Sequence, residues 1–124
     1  MSNSRRTLGH RAENYVADAL RRAGYAILAR NWHHGKLGEL DIVAQRKDQI
    51  VFVEVRARRG PAQDAAGWAF ASVGQRKQAR LALLAEAFLT EHELADIAWR
   101  IDVAAVSCDG DTLSMEVITN AVAW

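Results

Sequence analysis

The 124-residue chain has only one cysteine, Cys108, and one proline, Pro61. A lone cysteine excludes an intrachain disulfide and favours a reducing compartment. No apolar run approaches the roughly 20 residues that cross a bilayer, and the first residues lack the apolar stretch of a signal peptide. The formal net charge is only +1, so the strongly basic composition common in small DNA-binding modules is absent. These scarcities predict a cytoplasmic protein that does not span a membrane.

The apolar residues, half of the total, suffice for one core, and the length predicts a single domain over residues 1–124. The connection at 58–72 contains Pro61 and two glycines and is predicted to be long and partly irregular. The order α-β-β-β-α-β-β favours an α/β fold with a mixed central sheet flanked by helices. Apolar periodicity predicts helices near 8–23 and 73–90 and strands near 25–32, 39–45, 50–57, 97–106 and 113–118.

Charged residues lie inside the second and third predicted strands, which are otherwise apolar. Alternation puts Glu39 and Asp41 on one face of the second strand. It likewise puts Glu54 and Arg56 on one face of the third. If a hairpin closes symmetrically around 46–49, Asp41 lies opposite Glu54, and Glu39 lies opposite Arg56; a slip of one residue would separate them.

Two carboxylates directly opposed in a sheet repel each other. A shared proton or a bound divalent cation relieves that repulsion. Because carboxylate oxygens suit Mg²⁺ or Mn²⁺, the pattern predicts a metal site at Asp41 and Glu54, with Glu39 as a further ligand. The alternative is a structural lattice of ion pairs on an open sheet face, which would not need these residues in particular.

Three further charged residues border the predicted site. Arg56 is suited to hold a phosphate or to stabilise charge in a transition state, although a guanidinium is a poor proton acceptor. Glu13 borders the buried stripe of the first helix and is either a third acid or a plain helix-boundary carboxylate. Lys77 begins the core-facing stripe of the second long helix and either turns out to solvent or approaches the acids as a second cation.

Two clusters of basic residues are candidate contacts for nucleic-acid phosphates, with a solvated face as the alternative. Trp68 and Phe70, in the predicted connection, are interpreted as core residues, with a dimer contact or a DNA wedge as alternatives. The clusters are Arg56, Arg58 and Arg59, and Arg76, Lys77 and Arg80.

The motifs GELDIV at 38–43 and FVEVRAR at 52–58 occur with Lys77-Gln78 and with RIDV at 100–103. Together they resemble the YraN-like family of small bacterial proteins, related to the restriction-endonuclease-like superfamily and to archaeal Holliday junction resolvases. The resemblance covers nearly the whole chain. It implies a restriction-endonuclease-like fold with the superfamily's Asp…Glu-x-Lys site. Asp41 and Glu54 match its acidic positions, and Arg56 occupies the lysine position.

The resemblance implies a metal-dependent endonuclease acting on DNA, including branched recombination or repair structures. Asp41, Glu54 and Arg56 would then be catalytic, with assistance from Glu13 and Lys77. A homodimer is expected if both strands of a junction are cut, since that requires two sites related by symmetry. Two alternatives are a catalytically silent nucleic-acid-binding module and a structural or interaction protein with the same fold.

Overall fold

The structure is a computed structural model that describes residues 4–122. None of the helices in this range combines the length and apolarity needed to cross a membrane. A short 3₁₀ turn, Gly35–Leu37, precedes the second strand. The elements are α1 (Ser4–Arg22), β1 (Ala26–His33), β2 (Glu39–Arg46), β3 (Gln49–Arg59), α2 (Ala65–Ser72), α3 (Gln75–Glu91), β4 (Ala98–Asp109) and β5 (Thr112–Ile118).

The strands described within residues 4–122 form one sheet in chain order, β1-β2-β3-β4-β5. β1, β2 and β3 are antiparallel neighbours, β4 runs parallel to β3, and β5 returns antiparallel to β4. Parallel neighbours require a crossover of about a dozen residues or more, and α2 and α3 supply it. The mixed sheet with flanking helices confirms the predicted α/β fold class.

Both faces of the sheet are covered by helices. α1 packs Ala12 and Val16 against the face that carries Ile42. On the other face, Phe88 of α3 makes an edge-to-face contact with Phe52 of β3. The central strands are therefore buried on both sides, and a charged group on them loses water unless other polar groups replace it.

The connection at 58–72 is irregular in part, as predicted, but it also contains a helix that was not predicted. β3 continues to Arg59, the chain turns at Gly60 with φ of 128°, and α2 occupies Ala65–Ser72. α2 buries Ala65 and Ala69 against the sheet. Its run of small residues shows no apolar periodicity, so tertiary packing and not sequence pattern defines this helix.

Candidate metal centre

The hairpin of β2 and β3 has the predicted register, because every paired position sums to the same number. Its ladder ends at the pair Ile42↔Val53. Asp41 and Glu54 are the next residues along their strands, so both lie where the two strands separate. The register prediction is confirmed, but the pairing ladder is shorter than predicted.

The side chain of Asp41 explains why the ladder ends. The next hydrogen-bonded position would join Val55 to Leu40, since such positions alternate along an antiparallel pair. The backbone N–H of Val55 donates instead to Oδ2 of Asp41 at 2.8 Å. The carboxyl therefore enters the gap between the strands, and the predicted placement of Glu39 opposite Arg56 in a continued ladder is wrong.

Asp41 and Glu54 form a pair of carboxyl groups, of which Glu54 is buried and Asp41 is half-buried. The side chain of Glu54 is 4% exposed and makes a side-chain hydrogen bond with Asp41. Burial, followed by the negative charge of Glu54, raises the pKa of Asp41 to about 8 from the ordinary 3.8. The charge of Glu13 adds to this rise, and the Val55 N–H opposes it. At neutral pH the metal-free protein therefore keeps a proton on Asp41.

Two cations converge on one oxygen of Glu54. The amine Nζ of Lys77, in the first turn of α3, lies 3.4 Å from Oε2, and Nη1 of Arg56 lies 3.5 Å from the same atom. Nε of Arg56 donates to Oγ of Ser72 at 2.9 Å, and that hydroxyl donates to the carbonyl of Ala69 at 2.7 Å. α2 thus fixes the plane of the guanidinium, and α3 brings the amine. The sequence pattern did not indicate Ser72, because it lies in the helix that the pattern missed.

Glu13 and Glu39 are linked to each other through Asn31, and not to Oε2 of Glu54, the oxygen that the two cations approach. Nδ2 of Asn31 donates to Oε1 of Glu13 at 3.1 Å and to Oε2 of Glu39 at 3.2 Å. Nε2 of His33 lies 3.0 Å from the other oxygen of Glu39. Asn31 has a left-handed φ of 50°, which asparagine tolerates better than most residues. Glu13 therefore acts on Asp41 through its charge, while Glu39 is held on the β1 side of the site.

The donor set fits an open metal site and not a closed one. Among residues 4–122, no group of three or more His, Cys, Asp or Glu side chains is arranged to hold a metal ion. Asp41 and Glu54 offer two carboxylates alone. Mg²⁺ commonly binds through one or two carboxylates, with water and substrate phosphates completing its shell. The pair therefore fits Mg²⁺, or the similar Mn²⁺, in the presence of a phosphate substrate.

A cleft of about 550 Å³ opens beside the acidic pair, with walls from α1, β3 and α2. Glu13 and Arg56 line this cleft and also act on the pair, which makes the two features continuous. Arg58 and Arg59 line it as well, and Trp68 forms part of a wall while packing against the core. The structure thus brings the first predicted basic cluster to the site.

The second basic cluster is divided by the structure. Lys77 reaches the acidic pair, whereas Arg76 and Arg80 are exposed on α3 and do not line the cleft. The stem of Arg80 lies beside Gly38, 3.5 Å from where a Cβ would stand. Phe70 is 46% exposed, so its interpretation as a core residue is wrong, while that of Trp68 is confirmed in part.

Fold and site define a mixed α/β protein with a carboxyl pair and two adjacent cations at the open end of its central hairpin. A profile described as "Uncharacterised protein family UPF0102" matches residues 12–106, and the chain belongs to that family. This confirms the YraN-like resemblance at the level of the family.

Relatives described as UPF0102 proteins match over most of their length. One from Roseiflexus castenholzii is 45% identical over 125 residues, covering 98% of each chain. One from Chloroflexus aurantiacus is 43% identical over 111 residues, covering 89% of this chain and 87% of its own. One from Nitratidesulfovibrio vulgaris is 38% identical over 121 residues, covering 98% of this chain and 87% of its own. The shared description names a family and no activity.

Proposed function

We propose that this protein is a metal-dependent endonuclease acting on DNA, with a fold related to the restriction-endonuclease-like superfamily. One observation carries the proposal. The carboxyl of Asp41 is hydrogen-bonded to the buried carboxyl of Glu54, and two cations lie within 3.5 Å of Glu54 beside an arginine-lined cleft. Two acids that repel each other, next to groups suited to phosphate, match the needs of phosphodiester hydrolysis.

Asp41 and Glu54 would hold Mg²⁺ or Mn²⁺, which when bound lowers the pKa of a coordinated water and offsets phosphate charge. The Val55 N–H holds one oxygen of Asp41 in a defined position. The raised pKa of Asp41 means that the metal-free pair keeps a proton where a cation would otherwise sit. Cation binding would therefore release a proton near neutral pH.

Lys77 supplies an amine group to the proposed active site. Arg56 occupies the lysine position of the superfamily motif, and a guanidinium does not replace an amine in orienting water. Nζ of Lys77 reaches Oε2 of Glu54 from α3 at 3.4 Å, against 3.5 Å for Nη1 of Arg56. We propose that Lys77 orients the attacking water. Arg56, whose guanidinium plane is fixed by the hydrogen bond to Ser72, would contact the scissile phosphate.

The proposed substrate is DNA, including branched recombination and repair structures, and the proposed assembly is a homodimer. Cutting both strands of a junction requires two active sites related by symmetry. Arg56, Arg58 and Arg59 line the cleft and supply phosphate contacts despite the near-neutral overall charge.

A second candidate function is a catalytically silent nucleic-acid-binding module. This alternative is favoured by Arg56 and Lys77, which already compensate the charge of Glu54 and so reduce the need for a metal ion there. Such a module would bind forked DNA through the cleft arginines without cleaving it.

Cleavage of branched, nicked and single-stranded DNA by the purified protein, with Mn²⁺ or with EDTA, tests the proposal. We expect Mn²⁺-dependent cleavage that Glu54→Gln lowers by about 10²–10³-fold, because the metal loses a charged ligand. Glu91→Gln, which changes an exposed glutamate on α3, is the matched control and should cleave normally. Calorimetric titration of Mn²⁺ should show weaker binding to Asp41→Ala than to the unmodified protein. Equal weak binding by both would refute the metal site, and tight binding to forks without cleavage would establish the silent module.

A further inference from the structure

The cleft lies along an open edge of β3. The ladder of β3 with β4 continues to Arg59↔Cys108, while its ladder with β2 ends at Ile42↔Val53. Within residues 4–122, the side of 54–59 that faces β2 therefore has no strand partner. α1 covers one face of this segment. On the other face, the side chains of Arg56 and Arg58 reach Ser72 and Trp68 of α2, so a notch opens between the two helices.

The backbone of this open edge also presents donors. Backbone groups point to alternate sides along a strand, and the Val55 N–H points toward β2 because it reaches Asp41. The N–H of Ala57, two residues further on, points to the same side. Because the Val55 N–H is already donated to Asp41, an anion in the cleft would meet the N–H of Ala57 as well as arginine side chains.

The walls of the cleft combine positive charge with flat and apolar surface. The guanidinium of Arg58 lies over the ring of Trp68, 5.0 Å from its centroid, which gives one wall a stacked, planar form. Leu8 and Ala57 add apolar surface. The cleft has three arginines against a single carboxylate, that of Glu13. A planar, partly apolar ligand that carries negative charge matches these walls, and a nucleotide has all three properties.

The size of the cleft favours one nucleotide over a duplex. Sites for small molecules commonly enclose about 300–1,000 Å³, and this cleft encloses about 550 Å³. A base inside a duplex is stacked and paired, so it does not reach such a pocket unless it leaves the helix. An unpaired strand presents both its base and its phosphate.

We propose that the cleft receives one unpaired nucleotide of the substrate strand, with its base against the Trp68–Arg58 wall and its phosphate on Arg56. This inference rests on the proposed nuclease function and deepens it. The acidic pair would then act next to the point where a strand leaves a duplex. The chemistry recognised is an unpaired nucleotide, from DNA or from RNA.

Gly9 offers a test that leaves the acidic pair untouched. It lies on α1 in the wall of the cleft, and a Cβ there would meet nothing within 4 Å. Gly9→Leu would fill the cleft, and leucine also has a higher helix propensity than glycine. Gly67→Leu is the matched control, because Gly67 is also helical and open around its Cβ but does not line the cleft.

Fluorescence anisotropy in EDTA would compare a labelled single strand, a splayed fork and a blunt duplex of the same DNA sequence. We expect the unmodified protein to bind the single strand and the fork about tenfold more tightly than the duplex, as stacking of one base provides. Gly9→Leu should remove that preference, and Gly67→Leu should keep it. Equal binding of single strand and duplex by the unmodified protein, or no effect of Gly9→Leu, would overturn the proposal.

Binding of a single-stranded RNA of the same sequence shows whether the nucleotide comes from DNA or from RNA. Binding equal to that of DNA supports a cleft that recognises base and phosphate alone, and tighter binding assigns RNA as the source. Competition by an acidic peptide as effective as the single strand would overturn the proposal in favour of a peptide at the open edge of β3. The binding assay contains no metal, so it can succeed where cleavage fails. Loss of cleavage with intact cleft binding refutes only the nuclease function.

Discussion

Substituting Asp41 by asparagine should make the protein more stable at alkaline pH and should change how its stability depends on pH. The unfolded chain releases the Asp41 proton near the ordinary pKa of 3.8, whereas the folded protein keeps it until about pH 8. Between these values the folded state binds more protons than the unfolded state. The free energy of unfolding therefore falls as pH rises. This contribution is fully present below pH 3.8 and is lost as pH rises through 8.

The size of the effect follows from the two pKa values. Each pH unit between them removes about 1.4 kcal/mol from the free energy of unfolding. From pH 5 to pH 8 the loss is about 3–4 kcal/mol, because the folded carboxyl is half ionised at the upper end. The asparagine of the variant has no such proton, yet its amide can accept from the Val55 N–H and donate to Glu54.

Urea denaturation in EDTA at pH 5, 6, 7 and 8 measures this difference directly. The gap between the free energies of unfolding of Asp41→Asn and of the unmodified protein should widen by about 3–4 kcal/mol in favour of the variant. Asp18→Asn is the control, because Asp18 is exposed and pairs with the equally exposed Arg21 on α1. It should follow the pH dependence of the unmodified protein.

Parallel pH curves for Asp41→Asn and the unmodified protein would refute the reasoning, since they would mean that Asp41 ionises freely in the folded state. Millimolar Mg²⁺ adds a second condition. A cation bound at the pair should stabilise the unmodified protein more at pH 8 than at pH 5, because the proton competes with it. Asp41→Asn should show a much smaller response to Mg²⁺.

Three further substitutions test other parts of the structure. Lys77→Met should lower cleavage by about 10²-fold because the site loses its amine, and adding Arg56→Lys should restore part of the rate, as single-turnover kinetics would show. Ser72→Ala should raise KM for DNA and lower stability by about 1–3 kcal/mol, since two hydrogen bonds are lost; an unchanged KM would contradict the role of Ser72 in orienting Arg56. Phe88→Ala should cost about 3–5 kcal/mol of unfolding free energy in urea, because Phe88 is 1% exposed, whereas Leu83→Ala, at a 54% exposed position, should cost far less.

Local sequence pattern was sufficient for the hairpin at the centre of the sheet. A hairpin closing symmetrically around 46–49 predicted a register in which every pair sums to the same number, as the structure confirms. Because Val43 and Ile42 are buried on opposite faces, apolar burial alone would also allow a shifted register. The symmetric turn therefore decides the pairing, and it brings Asp41 next to Glu54.

The same reasoning failed where side chains competed with the backbone or where small residues carried no pattern. The carboxyl of Asp41 accepts the hydrogen bond of the Val55 N–H, and the two strands separate there. The periodicity of the strands does not predict this. α2 is rich in alanine and has no apolar periodicity, so the packing of Ala65 and Ala69 against the sheet, and not the sequence pattern, defines it. Since Ser72 lies on α2, its hydrogen bond to Arg56 could not be predicted either.

The sequence alone determined the fold class, the register of the central strands and the two acids on them, because these depend on contacts between neighbours along the chain. Tertiary structure decided that Lys77 meets Glu54, since they are brought together only when α3 packs on the sheet. It also decided that Asn31 bridges Glu13 and Glu39, and that a cleft lies beside the acids. These features depend on the distances between separate elements, which spacing along a chain does not encode.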